Sequence, residues 1–470
     1  MAMHVLGTNE ALERLADPVR RIAAACSEQA WLVGGVIRDA FLGRSLDDID
    51  IVVGSNPEHV ARALARAEGG TAFGLSDRHG GWRVVVGAQH IDVCAMQGSS
   101  IVDDLQQRDF TMNAMAVSCA DMSVVLDPLG GAHDLLGGTV RSANPAVLDD
   151  DPLRLLRAAR FAHVLGMTID AQTHAWIVER AASLTSVSGE RIFSELGALL
   201  DVPEQRRGIR MLDELGLLAA VLPELDACRG IAQSRFHHLD VFDHTLAVLD
   251  NSEDIIAAPG FHLGDVPGMH DLDIDARRIV QLASLLHDVG KPLTRGSHPA
   301  TGSVTFVGHD DVGARLVDDV CDRWSTSNRI RDGVKLLVRT HLALGMLLHG
   351  PGDRRARWRY LRSVQPRAAE AIILSLADRL ATAGIDDRRR WVRRHAEMAR
   401  MLWSEHWFES VEGIPQPLLT GDEIASLTGI APGPELGQLV RVLAEEQGIG
   451  AVISRDQAVA CVESAARGMR

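Results

Sequence analysis

The stretch GGVIRDAFLGRSLDDIDIVV, residues 34–53, decides how the amino-terminal part of this chain is read. It follows the short apolar run Trp31-Leu32-Val33, turns through a glycine pair, passes a helical interval and ends in the β-branched run IDIVV (49–53). Strand, turn, helix and strand thus come in succession. Asp48 and Asp50 are two residues apart at the start of the second strand. The strand pleat sends residues i and i+2 to one face, so both carboxylates point the same way. Gly34-Gly35 lets the backbone approach a phosphate, and the helix that follows, with Arg38 in its first turn, offers oriented N–H donors. A glycine pair alone, or two aspartates alone, is commonly a plain turn or a solvated strand end; the combination is far more specific.

Working outward, RVVVG (83–87) and IDVCA (91–95) have strand composition, and the second carries Asp92. Three carboxylates on adjacent strands suit two Mg²⁺ ions about 3.5–4 Å apart. Residues 8–27 read as an amphipathic helix, which makes the first 130 residues a mixed α/β head. After the glycine-rich DPLGGAHDLLGG (127–138), the pattern changes at Asp150 to a 3.6-residue period that continues to the end. The expected fold class is α+β, a small mixed sheet followed by helices only. Breaks bearing Pro or Gly put the boundaries near 138, 225 and 385, giving parts 1–138, 139–225, 226–385 and 386–470.

The chain has 470 residues, 46% of them apolar and only 4% aromatic, which favours several cores and much helix. A net charge of −15 argues against a simple polyanion binder. Arginines nevertheless cluster at Arg354, Arg355, Arg357, Arg359 and Arg362 and at Arg388, Arg389, Arg390, Arg393 and Arg394, with Trp358, Tyr360 and Trp391 interleaved. Such stretches either track an RNA backbone or form solvated helix faces. The six cysteines form no CxxC pair, so neither a disulfide framework nor a thiolate zinc site is expected. A reducing cytoplasm fits, with no signal-peptide pattern and no apolar run of about 18 residues to span a membrane.

At this point the sequence resembles the DNA-polymerase-β-like nucleotidyltransferases, in particular the class of CCA-adding enzymes and bacterial poly(A) polymerases. GGVIRD and DDID are similar to that class's GG-x-VRD and D-x-D signature. The resemblance implies a polymerase-β-like head with Asp48, Asp50 and Asp92 as ligands of Mg²⁺ and Gly34, Gly35 and Arg38 at the nucleotide. RDFTMNAMA (108–116) resembles the RRDFT-x-NA motif, with Gln107 in place of its first Arg, and implies Arg108, Asp109 and Asn113 as ribose and phosphate partners. By itself it reads as an Arg–Asp pair at a turn. DDPLRLLRAARF (150–161) is similar to ED-x-x-R-x-x-R, with Asp150 where Glu is usual, and adds Asp151, Arg154, Arg157 and Arg160. Pro152 suits a first helical turn, and Asp151 and Arg154 are expected as neighbours on one helix face. A carboxylate acceptor beside a guanidinium donor complements the Watson–Crick edge of cytosine, and adenine presents a similar edge; a helix cap with an ion pair is the plainer reading.

His244, His287, Asp288, His309, His341 and Asp378, in DHTL, LLHDVGKP, GHDD, RTHL and LADRL, resemble an HD-type phosphohydrolase domain. Nitrogen–oxygen ligation of this kind suits one or two Mn²⁺, Ni²⁺, Co²⁺ or Zn²⁺ ions, with Lys291 near a phosphate and His237 and His238 close by. The resemblance implies hydrolysis of 2′,3′-cyclic phosphates or other phosphate esters. LTGDEIASLTGIAPGPELG, opening residues 419–462, resembles the helical tail of the same class. The four parts become head, neck with RNA-binding helices, HD domain and tail. The implied activity is template-free addition of C, with or without A, to a tRNA 3′ end from CTP and ATP. CCA-adding members carry a flexible loop between the third-carboxylate strand and the RDFT motif; here only CAMQGSSIVDD (94–104) intervenes, an arrangement similar to CC-adding members. Full CCA addition, poly(A) synthesis, and an HD phosphohydrolase with a non-catalytic RNA-binding head are the competing readings.

Overall fold

The computed structural model describes residues 6–25, 29–75, 80–233, 238–266, 272–350, 352–382, 388–412 and 416–469, with side chains of 388, 389 and 408–412 left aside. Cys26 and His237 lie outside these residues. Two compact units emerge, Met1–Val202 with Arg207–Val221, and Pro203–Arg206 with Leu222–Arg470. The α+β class expected from the sequence is the class observed.

The first unit is built on β1 (Ala30–Val33), β2 (Asp48–Val53), β3 (Thr71–Gly74), β4 (Trp82–Val86), β5 (Gln89–Ala95), β6 (Ala116–Ser118) and β7 (Val125–Leu126), in the order β3-β4-β5-β2-β1-β6-β7. β2 and β5 run parallel, and the other neighbours are antiparallel. Alternation in β2 buries Ile49 and Ile51, each 1% exposed, and leaves Asp48 and Asp50 on the opposite face. Helices Thr8–Ala25, Gly35–Phe41 and Pro57–Glu68 bury apolar stripes such as Leu15, Val19 and Ile22, or Val60, Ala61 and Leu64. A second cluster gathers Val33 and Val52 with Leu105, Ala114 and Ala116. The sequence pattern identified β1, β2, β4 and β5. It missed β3, an exposed edge, and β6 and β7, which are too short to carry a period.

Two short pairings interrupt the all-helical stretch expected after the head. Thr139–Val140 pairs in parallel with Thr168–Ile169, and Gly296–Ser297 forms a small hairpin with Val304–Thr305. Strands of two residues are set by their neighbours and leave no local signal. Elsewhere the regular elements among the described residues of the second unit are helices, with Val241–Ala257, Ile274–Leu286, Asn328–Thr340 and Ala368–Ala381 packed on one another and His309–Arg323 against Asn328–Thr340.

The carboxy-terminal helices Gly421–Thr428, Pro434–Gly448 and Arg455–Met469 enclose a core of their own that includes Ile424, Leu439, Leu443 and Val462. They meet helix Arg354–Ser363 through ion pairs. Arg355 Nη1 lies 2.7 Å from Glu445 and 2.8 Å from Glu446, and Arg359 Nη2 lies 2.7 Å from Glu445. Arg357 pairs with Glu405 at 2.9 Å, and Tyr360 is buried. These three arginines are thus paired with carboxylates of the fold, Arg357 largely buried and Arg359 still 63% exposed on a solvent-facing edge of the helix. Among the described residues no helix is long and apolar enough to cross a membrane, and Cys94, Cys119, Cys228, Cys321 and Cys461 form no disulfide.

Gly290 marks a contact that admits no side chain. A Cβ there would stand 2.1 Å from the His309 carbonyl oxygen and 2.7 Å from the Gly313 nitrogen. Backbone cannot yield as a flexible side chain does, so Gly290→Ala is expected to cost about 1–3 kcal/mol, read as a lowered midpoint in urea unfolding.

Candidate functional site

Strand register assembles the head site. Asp50 stands opposite Asp92 across the parallel β2–β5 pair and opposite Val33 across β1–β2. Val33 leads into Gly34, whose φ of 74° favours glycine and where a Cβ would lie 3.0 Å from Asp50 Oδ2 and 3.1 Å from Arg108 Nη1. Backbone conformation and lack of space both require glycine here. Around this point opens a cleft of about 490 Å³. Gly34, Gly35 and Arg38 form one wall, with Asp48, Asp50 and Asp92 beside them. Arg108, Asp109 and Asn113 contribute a second wall, and Arg154, Arg157 and Arg160 a third.

The three carboxylates have different surroundings. Asp48 is open to solvent, its side chain 87% exposed, with His90 Nδ1 at 3.5 Å. Burial, and then the nearby Asp92 and Asp48 charges, raise the Asp50 carboxyl against the opposing pull of Arg108. Asp92 accepts two hydrogen bonds from Arg83, at 2.7 Å each. Such a crowd of oxygen donors on neighbouring strands fits a hard divalent cation.

The cationic walls are built on paired guanidiniums. Arg38 donates to Asp39 at 2.9 and 2.8 Å and to Asn113 Oδ1 at 2.8 Å. Asp109 is buried, which works to raise its carboxyl, but Arg157 at 2.9 Å and the Asn113 amide at 3.0 Å hold it below the usual carboxylate range. Arg108 is held by Asp104 at 3.0 and 3.1 Å. Phe161 lies at the centre: the guanidinium carbons of Arg38, Arg157 and Arg160 stand 5.1, 5.6 and 4.0 Å from its ring centroid. Phe161, Asp39, Asp104 and Arg83 were missed as site residues. Asp104 was legible as a carboxylate four residues before Arg108, and Phe161 closes the quoted DDPLRLLRAARF run.

Asp151 departs from expectation. Its backbone is extended, at φ −143° and ψ 96°, and it precedes the helix Leu153–Leu165 instead of lying on it. Both carboxylate oxygens accept from Arg191, at 3.2 and 2.7 Å, and Asp151 does not line the cleft. Arg154 donates to the Val147 carbonyl at 2.9 Å, so the two are not the helix-face pair that their spacing implied. Proline at 152 favours extended backbone just before it, which is why the helix starts later. The short connection after β5 is tied down: Ser99 N and Oγ donate to Asp103 at 2.9 and 2.6 Å, and Gln97 N donates to Asp104 at 2.9 Å.

A second centre lies in the second unit. His244, His287 and Asp378 bring ligand atoms within 4.8 Å of one another, as do Asp288, His309 and His341. Three of the rings are set by backbone carbonyls: His287 Nδ1 on Ser284 at 3.0 Å, His309 Nδ1 on Phe306 at 2.7 Å and His341 Nδ1 on Val338 at 2.7 Å. An Nδ1–H given to each carbonyl leaves Nε2 as the lone-pair donor. His309 Nε2 and His341 Nε2 are 3.3 Å apart. Burial and then the neighbouring His287 push His341 down to about 4, which keeps its ring in the neutral, ligating form. Asp288 Oδ1 is buried and has no hydrogen-bond partner among the described residues. An unpartnered carboxylate oxygen amid imidazole nitrogens fits a divalent cation. Lys291 Nζ donates to Asp288 Oδ2 at 2.6 Å and to Gln233 at 2.7 Å. His238 is exposed and belongs to neither group.

Comparison with known proteins follows the same outline. A model of the poly A polymerase head domain matches residues 30–100 and 95–141, one of the probable RNA and SrmB-binding site of polymerase A matches 166–229, and one of the HD domain matches 241–383. The chain is 36% identical to an A-adding tRNA nucleotidyltransferase of Deinococcus radiodurans, covering 92% of this chain and 95% of that one. It is 32% identical to a CC-adding tRNA nucleotidyltransferase of Thermus thermophilus, covering 92% of each. Among solved structures, a CCA-adding enzyme in complex with CTP is similar at a TM-score of 0.64 and 19% identity over 98% of each chain. The Thermotoga maritima CCA-adding enzyme complexed with tRNA gives 0.62 at 19% identity over 100% of each, a likeness of fold. On identity sustained along nearly its full length, the chain belongs to the tRNA nucleotidyltransferase family.

Proposed function

We propose that this chain extends the 3′ end of tRNA with C from CTP, without a nucleic-acid template and with release of pyrophosphate, in the cytoplasm. The working frame is a head to residue 138, a neck to 225, an HD domain to 385 and a tail beyond. The observation that carries the proposal is Asp50 opposite Asp92, with Asp48 two residues before Asp50, on the floor of a cleft walled by arginines. Asp48, Asp50 and Asp92 would hold Mg²⁺, which supplies an activated 3′-hydroxyl and neutralises the leaving pyrophosphate. Arg38, Arg157 and Arg160 bind the triphosphate, each guanidinium already oriented by a carboxylate partner. Asp109, fixed by Asn113 and Arg157, orients the ribose side of the cleft. Arg154, which lines the cleft, contacts the base, while Asp151 stands outside the cleft with its carboxylate held by Arg191.

C addition is favoured by the five residues, 96–100, that separate β5 from the next helix, too short and too well tied for a mobile specificity loop. The 36% identity to an A-adding relative favours the second reading, addition of the terminal A. The His–Asp centre supports a metal-dependent phosphohydrolase acting on phosphate esters such as a 2′,3′-cyclic phosphate, with Mn²⁺, Ni²⁺, Co²⁺ or Zn²⁺ held by imidazole Nε2 and carboxylate oxygen.

With tRNA lacking its 3′ terminus, Mg²⁺ and labelled nucleotides, extension is expected to stop after two C; a single A added only to CC-ended tRNA would establish the second reading instead. Asp50→Asn, folded by circular dichroism, is expected to lose incorporation on the order of 10³-fold. Asp288→Asn is expected to lose bound transition metal by elemental analysis, along with any cyclic-phosphate hydrolysis, while C addition continues at the parental rate.

A further inference from the structure

Arg83 on β4 stands directly opposite Asp92 on β5, which in turn stands opposite Asp50 on β2. One row across the sheet thus reads Arg83, Asp92, Asp50. Arg83 Nε donates to Asp92 Oδ1 and Nη2 to Oδ2, each at 2.7 Å, so one planar guanidinium engages both oxygens of the third carboxylate. Among the described residues Asp48 has no such partner beyond the His90 ring at 3.5 Å, and Asp50 faces Arg108.

We propose that Arg83 is a positioning residue: it is the built-in counter-cation of Asp92 and competes with the divalent metal for that carboxylate, thereby setting the metal concentration at which the head site fills. The inference rests on the metal-binding reading of Asp48, Asp50 and Asp92. Carboxylates held together repel one another, and at Asp50 burial is the largest cause of the raised carboxyl, to which the Asp92 and Asp48 charges add. Arg83 offsets that repulsion with a charge that never titrates near neutral pH. The same hydrogen bonds take one lone pair on each Asp92 oxygen and neutralise much of its charge, so the guanidinium and the ion compete for Asp92. The Arg83 side chain is 37% exposed, which lets it turn to solvent when a doubly charged ion arrives.

The test is calorimetric titration of the nucleotide-free full-length protein with Mg²⁺, a hard ion that the imidazole-rich second centre accepts poorly. Asp50→Asn identifies the heat that belongs to the head. Arg83→Gln is expected to bind Mg²⁺ about five- to tenfold more tightly than the parent. Arg83→Lys is also expected to bind more tightly, because one ammonium keeps the charge but cannot cover both oxygens. Unchanged or weaker Mg²⁺ binding in Arg83→Gln would overturn the proposal, and so would an Arg83→Lys protein indistinguishable from the parent, which would leave only a diffuse charge effect. If Asp50→Asn itself binds Mg²⁺ as the parent does, the metal reading of the head has failed, and the clamp with it.

Discussion

The register of the parallel β2–β5 pair is the constraint on which the head site depends. It is fixed by burial: Ile49, Ile51, Ile91 and Val93 face the core on the two strands, each 2% exposed or less. A slip of one residue would turn these apolar side chains towards the cleft and the carboxylates into the core, at a cost no local contact repays. Asp50 and Asp92 are therefore brought side by side by the hydrophobic residues between them. The mutual repulsion of the carboxylates is a consequence of packing elsewhere in the sheet, and it is what makes the site receptive to cations.

The opposite wall follows a complementary logic. A chain of net charge −15 must concentrate positive potential locally if it is to hold a polyphosphate. Arg38, Arg157 and Arg160 converge on the Phe161 ring, and each is also paired with a carboxylate, Asp39, Asp109 or Glu195. The ring face and the carboxylates offset the repulsion among the three cations while leaving donors directed into the cleft.

The His–Asp centre solves a similar problem with helices. His287, His309 and His341 each lie at a helix end and each give Nδ1 to the carbonyl three residues earlier, which turns Nε2 inward. The close approach at Gly290 brings two of those ends together. Distances among the ring nitrogens are therefore set by helix packing and need no long flexible side chain.

The sequence by itself determined the α+β class and the strands β1, β2, β4 and β5, and through the resemblance of its motifs to a known family it named twelve of the eighteen residues that line the cleft. The class and the strands rest on local signals, the period of two in IDIVV and the turn glycines, whereas most of the cleft residues rest on motif resemblance. The structure alone decided the rest. That Arg83 grips Asp92, that Arg191 holds Asp151 outside the helix, and that Arg355 and Arg359 bind Glu445 are pairings across 9, 40, 90 and 86 residues of chain respectively. A charged side chain carries no local mark of its partner, because Coulomb attraction acts through space and only the packed backbone fixes which opposite charge comes within reach. Periodicity reports which face a residue takes; the partner it meets there is a property of the fold.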